Sequence, residues 1–387
     1  MLIAIVLFVL VLGSLLFHFI SPWKQPALAS NWLEMDNTLT ITWVITAIFF
    51  VVLNLFLIYV IVRFRRRGGG GGGAKHLAAY QPVNHKLERW LTLITTVGIV
   101  ALLAPGLSVY ADYVRPPADA LEVEVLGSQW QWRYRFPGAD GKLGRTDPRF
   151  VKDGNPFGLD TEDPLGQDDA LVDASELHLP LNKPIKVMLR AHDVLHDFYV
   201  PPFRARLNMV PGMVTTFWFT PTQIGKFEAM CAQLCGIGHA NMRGLVVVES
   251  EADFHTWLQT KPSFATASRP LDAVNPIGGA GAAPVTANST GQALAKSKAC
   301  LACHSVDGTA GVGPTWKGLF GRVEAFADGS TASVDEAFLE REIRDPGGRV
   351  VKGFAPIMPK SELTDAEVSA LVAYIREQTP AGAASQP

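Results

Sequence analysis

The sequence is short of charge. Asp, Glu, Lys and Arg make up 18% of its 387 residues, where an ordinary soluble domain carries about 25%. Hydrophobic residues reach 48%, so part of the chain is expected to lie in lipid. An excess of positive charge is also missing, with 34 Lys and Arg against 36 Asp and Glu. A nucleic-acid binder usually shows a basic excess or stripe, so nucleic acid is not an expected partner. Cysteine is scarce. Four residues in two close pairs are too few for a disulfide scaffold and suggest metal or cofactor chemistry.

Three stretches contain no Asp, Glu, Lys or Arg: residues 1–20, 39–62 and 90–110. A helix needs about 20 residues to cross the hydrocarbon core, so each is long enough. Arg63, Arg65, Arg66, Arg67, Lys75, Lys86 and Arg89 lie between the second and third stretches, with Glu88 as the only acid. The positive-inside rule puts that loop in the cytoplasm and everything after Tyr110 outside. Residues 1–20 allow two readings, a transmembrane helix or a signal-like segment, because Ala27-Leu28-Ala29 resembles a signal-peptidase site. The missing basic start and the long apolar run favour a retained helix. Six glycines at 68–73 read as a flexible linker, since no Lys-Ser/Thr follows at phosphate-loop spacing.

From Leu121 the pattern alternates with period two. Trp130, Trp132, Tyr134 and Phe136 are expected on one strand face, and Gln129, Gln131, Arg133 and Arg135 on the other. Further strand-like runs at 185–189, 214–219 and 245–248 are separated by Pro and Gly. Short strands with turns between them suggest a β-sandwich or Greek-key barrel over residues 115–258. Residues 137–170, rich in Asp, Gly and Pro, read as an irregular insertion.

Within this region Cys231, Cys235, His239 and Met242 fall inside twelve residues. Thiolate, imidazole and thioether are the soft donors that copper prefers, and a Met ligand argues against zinc. One such loop would wrap two ions if both sulfurs bridge. A second His must then come from elsewhere, and His178, His192, His196 and His255 are the candidates.

This spacing, Cys-x3-Cys-x3-His-x2-Met, resembles the CuA domain of cytochrome c oxidase subunit II. The resemblance implies a binuclear copper centre on a cupredoxin-like β-barrel. Its remaining His stands in an Asp-Val-x-His pattern followed by an aromatic residue and Pro. Asp193-Val194-Leu195-His196, with Phe198 and Pro201, matches this and selects His196. The resemblance also implies a backbone carbonyl ligand at Gln233. Many relatives carry Glu there, whose side chain helps bind magnesium at the subunit I interface, and Gln weakens that site. Met213 and Asn208 replace residues common in the family. The run QWQWRYRF resembles the family's aromatic segment, whose first Trp, here Trp130, receives the electron. Glu88 stands near a position that marks a proton pathway in relatives, or is a plain juxtamembrane charge.

Of residues 261–290, 20 are Ala, Gly, Pro, Ser or Thr, which reads as a linker of roughly 30 Å r.m.s. span. Beyond it, Cys300-Leu301-Ala302-Cys303-His304 is the signature of covalent haem c, with His304 as one axial ligand. Met358 is the only Met after Met242, so elimination makes it the sixth ligand. Helices are expected at 291–299 and 364–378, the second opened by Thr364 with Glu367 three residues on. Gly313-Pro314 and the run 318–322 resemble class I cytochrome c, where the Pro carbonyl orients the ligand His. A cytochrome c domain over 291–380 follows.

The expectation is therefore a multi-domain membrane protein: transmembrane helices, a cupredoxin-like β-barrel CuA domain and an all-α class I cytochrome c domain. The resemblance implies an electron-input subunit of a proton-translocating respiratory oxidase in a bacterial-type inner membrane, with both soluble domains periplasmic. Electrons would pass from haem c to CuA and on to subunit I, where dioxygen becomes water. Subunit III and a donor such as a cytochrome bc-type complex or a small cytochrome are further implied partners. Alternatives are the same input module on a nitric oxide reductase, or a membrane-anchored electron carrier or copper-delivery factor.

Overall fold

The computed structural model describes all residues except 1, 23, 65–82, 153, 174–175, 268–286, 310, 362 and 380–387. The hexaglycine run and Arg65–Arg67 lie outside the described residues, as does most of the Ala/Pro-rich linker. The chain divides into two units. The first is residues 1–115 with 202–204, and the second is the remainder.

The first unit holds three helices long and apolar enough to cross a membrane: α1 (Leu2–Ile20), α2 (Leu33–Arg63) and α3 (His85–Tyr113). Two of them run past their charge-free stretches, because the ends of a spanning helix can place charged side chains at the interface. Asn84 caps α3 by accepting from Leu87 N–H, the usual service of a short polar side chain at a helix start. On α1 the buried Ala4 and Val11 are seven residues apart, and His18 is seven further. That spacing keeps one seam of a helix facing a neighbour, and His18 stacks on Trp43 of α2 at 3.8 Å. Arg204 grips both carboxylate oxygens of Asp36 in the first turn of α2, at 2.7 and 2.8 Å.

In the second unit, residues 121–249 form two five-stranded sheets. The strands of the first are β1 (Leu121–Ser128), β2 (Gln131–Phe136), β3 (Ala170–Val172), β5 (Ile185–Ala191) and β8 (Thr215–Phe219). They lie in the order β3-β2-β1-β5-β8. The second sheet contains β4 (Glu176–Pro180), β6 (His196–Val200), β7 (Ala205–Met209), β9 (Gly225–Cys231) and β10 (Arg243–Glu249), in the order β4-β10-β9-β6-β7. Each sheet sends alternate apolar residues inward, among them Val123, Val125, Val187, Phe217, Phe198 and Val246, all buried. This is the period-two pattern of a half-buried strand resolved into a sandwich.

Two expectations for this region need correction. Trp130 does not share the strand face of Trp132: β1 and β2 pair through Ser128 and Gln131, leaving Gln129 and Trp130 as a two-residue turn. Arg135 takes the face opposite Trp132, as expected. Its guanidinium is buried against Glu124, Asp169 and the Gly144 carbonyl, because the insertion covers that face with Phe157 and Leu159. Residues 261–267 do not belong to the linker. Phe264, at the start of α5 (Phe264–Ala267), is buried against Leu126, Phe157 and Leu159, and Leu171 N–H donates to the Pro262 carbonyl. Apolar content in a Pro/Ala-rich stretch was enough to fix it. Helix α4 (Glu251–Gln259) precedes it.

The C-terminal part is mainly helical. Helix α6 (Ala287–Ser297) crosses α8 (Asp365–Glu377), with α7 (Glu336–Arg344) alongside and a small hairpin of β11 (Val323–Ala325) and β12 (Thr331–Ser333). Helix α8 opens with the expected capping box, Thr364 and Glu367 each hydrogen-bonding the other's backbone N–H. Its buried Val368, Leu371, Val372 and Ile375 join Trp316, Phe326, Phe338 and Leu339 in one core. Gly291 lets α6 and α8 approach. A Cβ there would stand 2.2 Å from the Ala370 carbonyl oxygen and 2.6 Å from Tyr374 Cβ. We expect Gly291→Ala to cost about 1–3 kcal/mol through overpacking, read as a lower thermal midpoint of this domain. An unchanged midpoint would show that the crossing can widen freely.

Candidate metal and haem sites

Two strand pairings assemble the first site. Strands β9 and β10 are antiparallel neighbours, Met230 opposite Arg243, so the loop between them begins at Cys231 and returns at Met242. The closing bond is Cys231 N–H to the Met242 carbonyl, 3.0 Å. Strand β6 lies on the other side of β9, Phe198 opposite Cys231, which brings its first residue, His196, to the loop.

The donor atoms converge. Cys231 Sγ and Cys235 Sγ are 3.7 Å apart, Cys231 Sγ and His196 Nδ1 3.9 Å, and Cys235 Sγ and His239 Nδ1 3.7 Å. Met242 Sδ is 4.0 Å from Cys235 Sγ, and the Gln233 carbonyl oxygen 3.2 Å from Cys231 Sγ. Metal–donor bonds of about 2.0–2.3 Å in a tetrahedron set donors about 3.3–3.8 Å apart, so these residues fit a bound metal centre. His196 and Met242 are fully buried, and such a soft, dry donor set suits copper.

Electrostatics prepare the site. Burial opposes a charge on His196, but hydrogen bonds to Asp193 and Cys231 prevail and push its pKa up to about 9. Burial likewise opposes the Cys231 thiolate, yet His196 pulls its pKa down to about 6. Cys235 moves the opposite way, up to about 12, through burial and then the neighbouring Cys231 charge. Asp193 Oδ1 lies 2.8 Å from His196 Nε2, which directs Nδ1 at the sulfurs. A carboxylate on the far nitrogen of a ligand His is the usual means of fixing its tautomer.

The other histidines do not join this group. His178 lies 2.8 Å from Glu249 and stacks on Trp257. His192 gives its backbone N–H to the Gly127 carbonyl, and His255 lies on α4 near Glu251. Glu88 sits in the first turn of α3, 3.2 Å from His85, where the helix dipole favours an acid.

The second site is a cavity in the helical domain whose lining includes Cys300, Cys303, His304, Leu319, Met358 and Ile375. His304 Nδ1 lies 2.8 Å from the Pro314 carbonyl, the orientation expected from the Gly-Pro pair, and its ring stacks on Trp316. Burial, only partly opposed by that bond, holds the imidazole below its ordinary pKa, so it stays neutral and able to ligate. Burial pushes the Cys300 thiol up to about 11 and raises Cys303 as well. A redox-active Cys-x-x-Cys needs the reverse, a depressed thiol. The apolar lining, the neutral His304 and the two adjacent thiols therefore fit a covalently held haem.

Comparisons with known proteins agree. The family described as cytochrome c oxidase subunit II, periplasmic domain, matches residues 121–250, and the cytochrome c family matches 289–379. The alternative cytochrome c oxidase subunit 2 of Bradyrhizobium diazoefficiens is 49% identical over 265 residues, covering 68% of this chain and 94% of the relative. The chain belongs to the cytochrome c oxidase subunit II family. The subunit 2 of Thermostichus vulcanus is 32% identical over 179 residues, 45% of each chain. Among solved structures, the periplasmic domain of subunit II of cytochrome oxidase of Bradyrhizobium japonicum is 28% identical. It spans 38% of this chain and 96% of that one, with a TM-score of 0.28. The family implies a copper CuA centre, and the cytochrome c domain implies haem c. Membership also implies a complex with subunit I of a haem–copper oxidase and a membrane-anchored chain with an extracytoplasmic domain.

Sequence reasoning missed Asp193 as the partner of His196, although an acid three residues before a ligand His was visible. It named the Gly313-Pro314 pair but missed why position 313 must be glycine. A Cβ there would stand 2.6 Å from His304 Cε1. We expect Gly313→Ala to displace the imidazole and raise the high-spin fraction in the optical spectrum while covalent haem is kept. A fully low-spin spectrum would contradict that packing constraint.

Proposed function

We propose that this subunit takes electrons at a covalent haem c and delivers them through a binuclear CuA centre to subunit I, where dioxygen is reduced to water with proton pumping. The observation that carries the reading is the convergence of two thiolates, two imidazoles and a thioether within 4.0 Å steps, in a chain that also carries Cys-x-x-Cys-His. His196, Cys231, the Gln233 carbonyl, Cys235, His239 and Met242 hold the coppers, and Cys300, Cys303, His304 and Met358 hold the haem. Bound there, these groups supply one-electron relays. The protein's own residues bury His196 and Met242 and orient the ligands: Asp193 fixes His196, and the Pro314 carbonyl fixes His304. Rigid, water-poor ligation limits the reorganisation that each electron transfer requires, as preorganised polar groups do elsewhere.

Trp130 is the electron-input point of the copper domain in this reading. Residues 1–20 are a retained span, supported by the seam of Ala4 and Val11 and the His18–Trp43 stack. The protein then crosses a bacterial-type inner membrane three times, with copper and haem domains periplasmic. Subunit III and a cytochrome bc-type or small cytochrome donor complete the set of partners. Gln233 offers no side-chain carboxylate, which weakens a magnesium site at the subunit I interface.

Two outcomes test the ligands. His196→Asn or Cys235→Ser should abolish the mixed-valence copper EPR signal while leaving haem c intact, and an unchanged copper spectrum would refute the assignment. Met358→Ala should let carbon monoxide bind the haem without loss of covalent attachment. Iron that stays six-coordinate with its original spectrum would exclude Met358 as the ligand.

A further inference from the structure

Two donors share one acceptor at the edge of the copper loop. Gln129 Nε2 donates to the Cys235 carbonyl at 2.8 Å, and the Trp130 indole Nε1 donates to the same oxygen at 3.1 Å. The Gln129 backbone N–H donates to Asp193 Oδ2 at 2.7 Å, and the other Asp193 oxygen pairs with His196. The two-residue turn is thus tied by its side chains to one copper ligand and by its backbone, through Asp193, to another.

The indole also lies across the loop backbone. A Cβ at Gly238 would stand 2.4 Å from Trp130 Cδ2 and 2.7 Å from its Cγ, and one at Gly236 would stand 3.1 Å from Cζ2. Gly238 has φ −83°, an angle that any residue adopts. Its missing side chain is therefore a demand of the indole and not of the backbone.

We propose that Gln129 is a positioning residue for electron transfer into the copper loop, with Gly238 as the seat for the indole it accompanies. The carboxamide occupies one lone pair of the Cys235 carbonyl and the indole the other, which holds Trp130 one hydrogen bond from a copper ligand. This inference rests on the function proposed above. In the step concerned, one electron leaves ferrous haem c, which becomes ferric, and reduces the copper pair by one. No covalent bond changes, and the indole Nε1 keeps its proton. Leu at position 129 would fill similar volume but donate nothing. Loss of a donor beside a metal ligand weakens stabilisation of the reduced centre, since hydrogen bonds around ligands tune metal sites.

The test uses the full chain in the assembled oxidase, as Gln129→Leu, Gly238→Ala, Trp130→Ala and the Trp130→Ala/Gly238→Ala pair. Copper and haem content, copper EPR, the copper midpoint potential and the rate at which a photochemically injected electron passes from haem c to copper are measured. Gln129→Leu should keep both coppers, lower the copper potential and slow transfer several-fold. Gly238→Ala should slow transfer when Trp130 is present and add nothing in the Trp130→Ala background. Equal slowing in both backgrounds would overturn the seat. Unchanged rate and potential in Gln129→Leu, with Trp130→Ala slow, would overturn the positioning role alone. Wild-type transfer in Trp130→Ala would instead remove the input role of Trp130, and this inference with it. Should Gly238→Ala lose copper, Gln129→Leu decides.

Discussion

The pairing of β6 with β9 is the constraint on which the copper site depends. It sets Phe198 opposite Cys231, so that a histidine 35 residues before the first cysteine meets a loop that supplies every other donor. A loop carrying two cysteines, a histidine and a methionine can adopt many shapes in isolation, and ordering it costs conformational entropy. Here the cost is shared. The β9–β10 hairpin fixes the two ends of the loop through Cys231 N–H and the Met242 carbonyl. Ala232 N–H to the Asp197 carbonyl then ties the loop to β6. The ligand geometry is a consequence of sheet register, and a slip of one residue would turn His196 to the other face.

The two cysteine pairs show how one residue type is set to two tasks by its surroundings. Near copper, a buried His196 held by Asp193 draws Cys231 toward thiolate, the form in which sulfur binds metal. In the helical domain no such partner faces Cys300, and burial keeps its thiol protonated. The histidines divide in the same manner. His196 is tied to a carboxylate and pushed toward the charged form, whereas His304 is tied to the neutral Pro314 carbonyl and stays uncharged. Any metal taken up at the copper site would displace the protons that these pKa shifts leave on His196 and Cys235. His304, already neutral, would ligate without first losing a proton.

Much of this was legible in the sequence because the informative residues are local. The Cys-x-x-Cys-His run, the Cys-x3-Cys-x3-His-x2-Met loop, the capping box of α8 and the three apolar helices each sit within one element. What was not legible depends on contacts far apart in sequence. Four histidines were candidates for the missing ligand, and spacing alone could not choose; the family resemblance selected His196, and the β6–β9 pairing supplies the physical reason. Arg135 was placed by alternation on the face opposite Trp132, and the alternation was right. The insertion then buried that face and supplied Asp169 as a counter-charge. Trp130 was read as strand because aromatic alternation ran through it. The β1–β2 pairing closes at Ser128 and Gln131, and the indole is released to lie on the copper loop.

That release is where fold and function meet in the β-domain. Trp132, two residues further on and inside β2, is buried in the sandwich, edge-on to Phe198 and His196. Trp130, in the turn, is only partly buried, and its Nε1 reaches the Cys235 carbonyl. Two neighbouring tryptophans of the same aromatic run thus stand on the inner and outer sides of the metal loop. The inner one holds His196 in place by packing, and the outer one joins the loop to the surface. A two-residue turn supplies this division because its residues leave the pleat. Had the strand continued through Trp130, the same alternation would have directed the indole into the core.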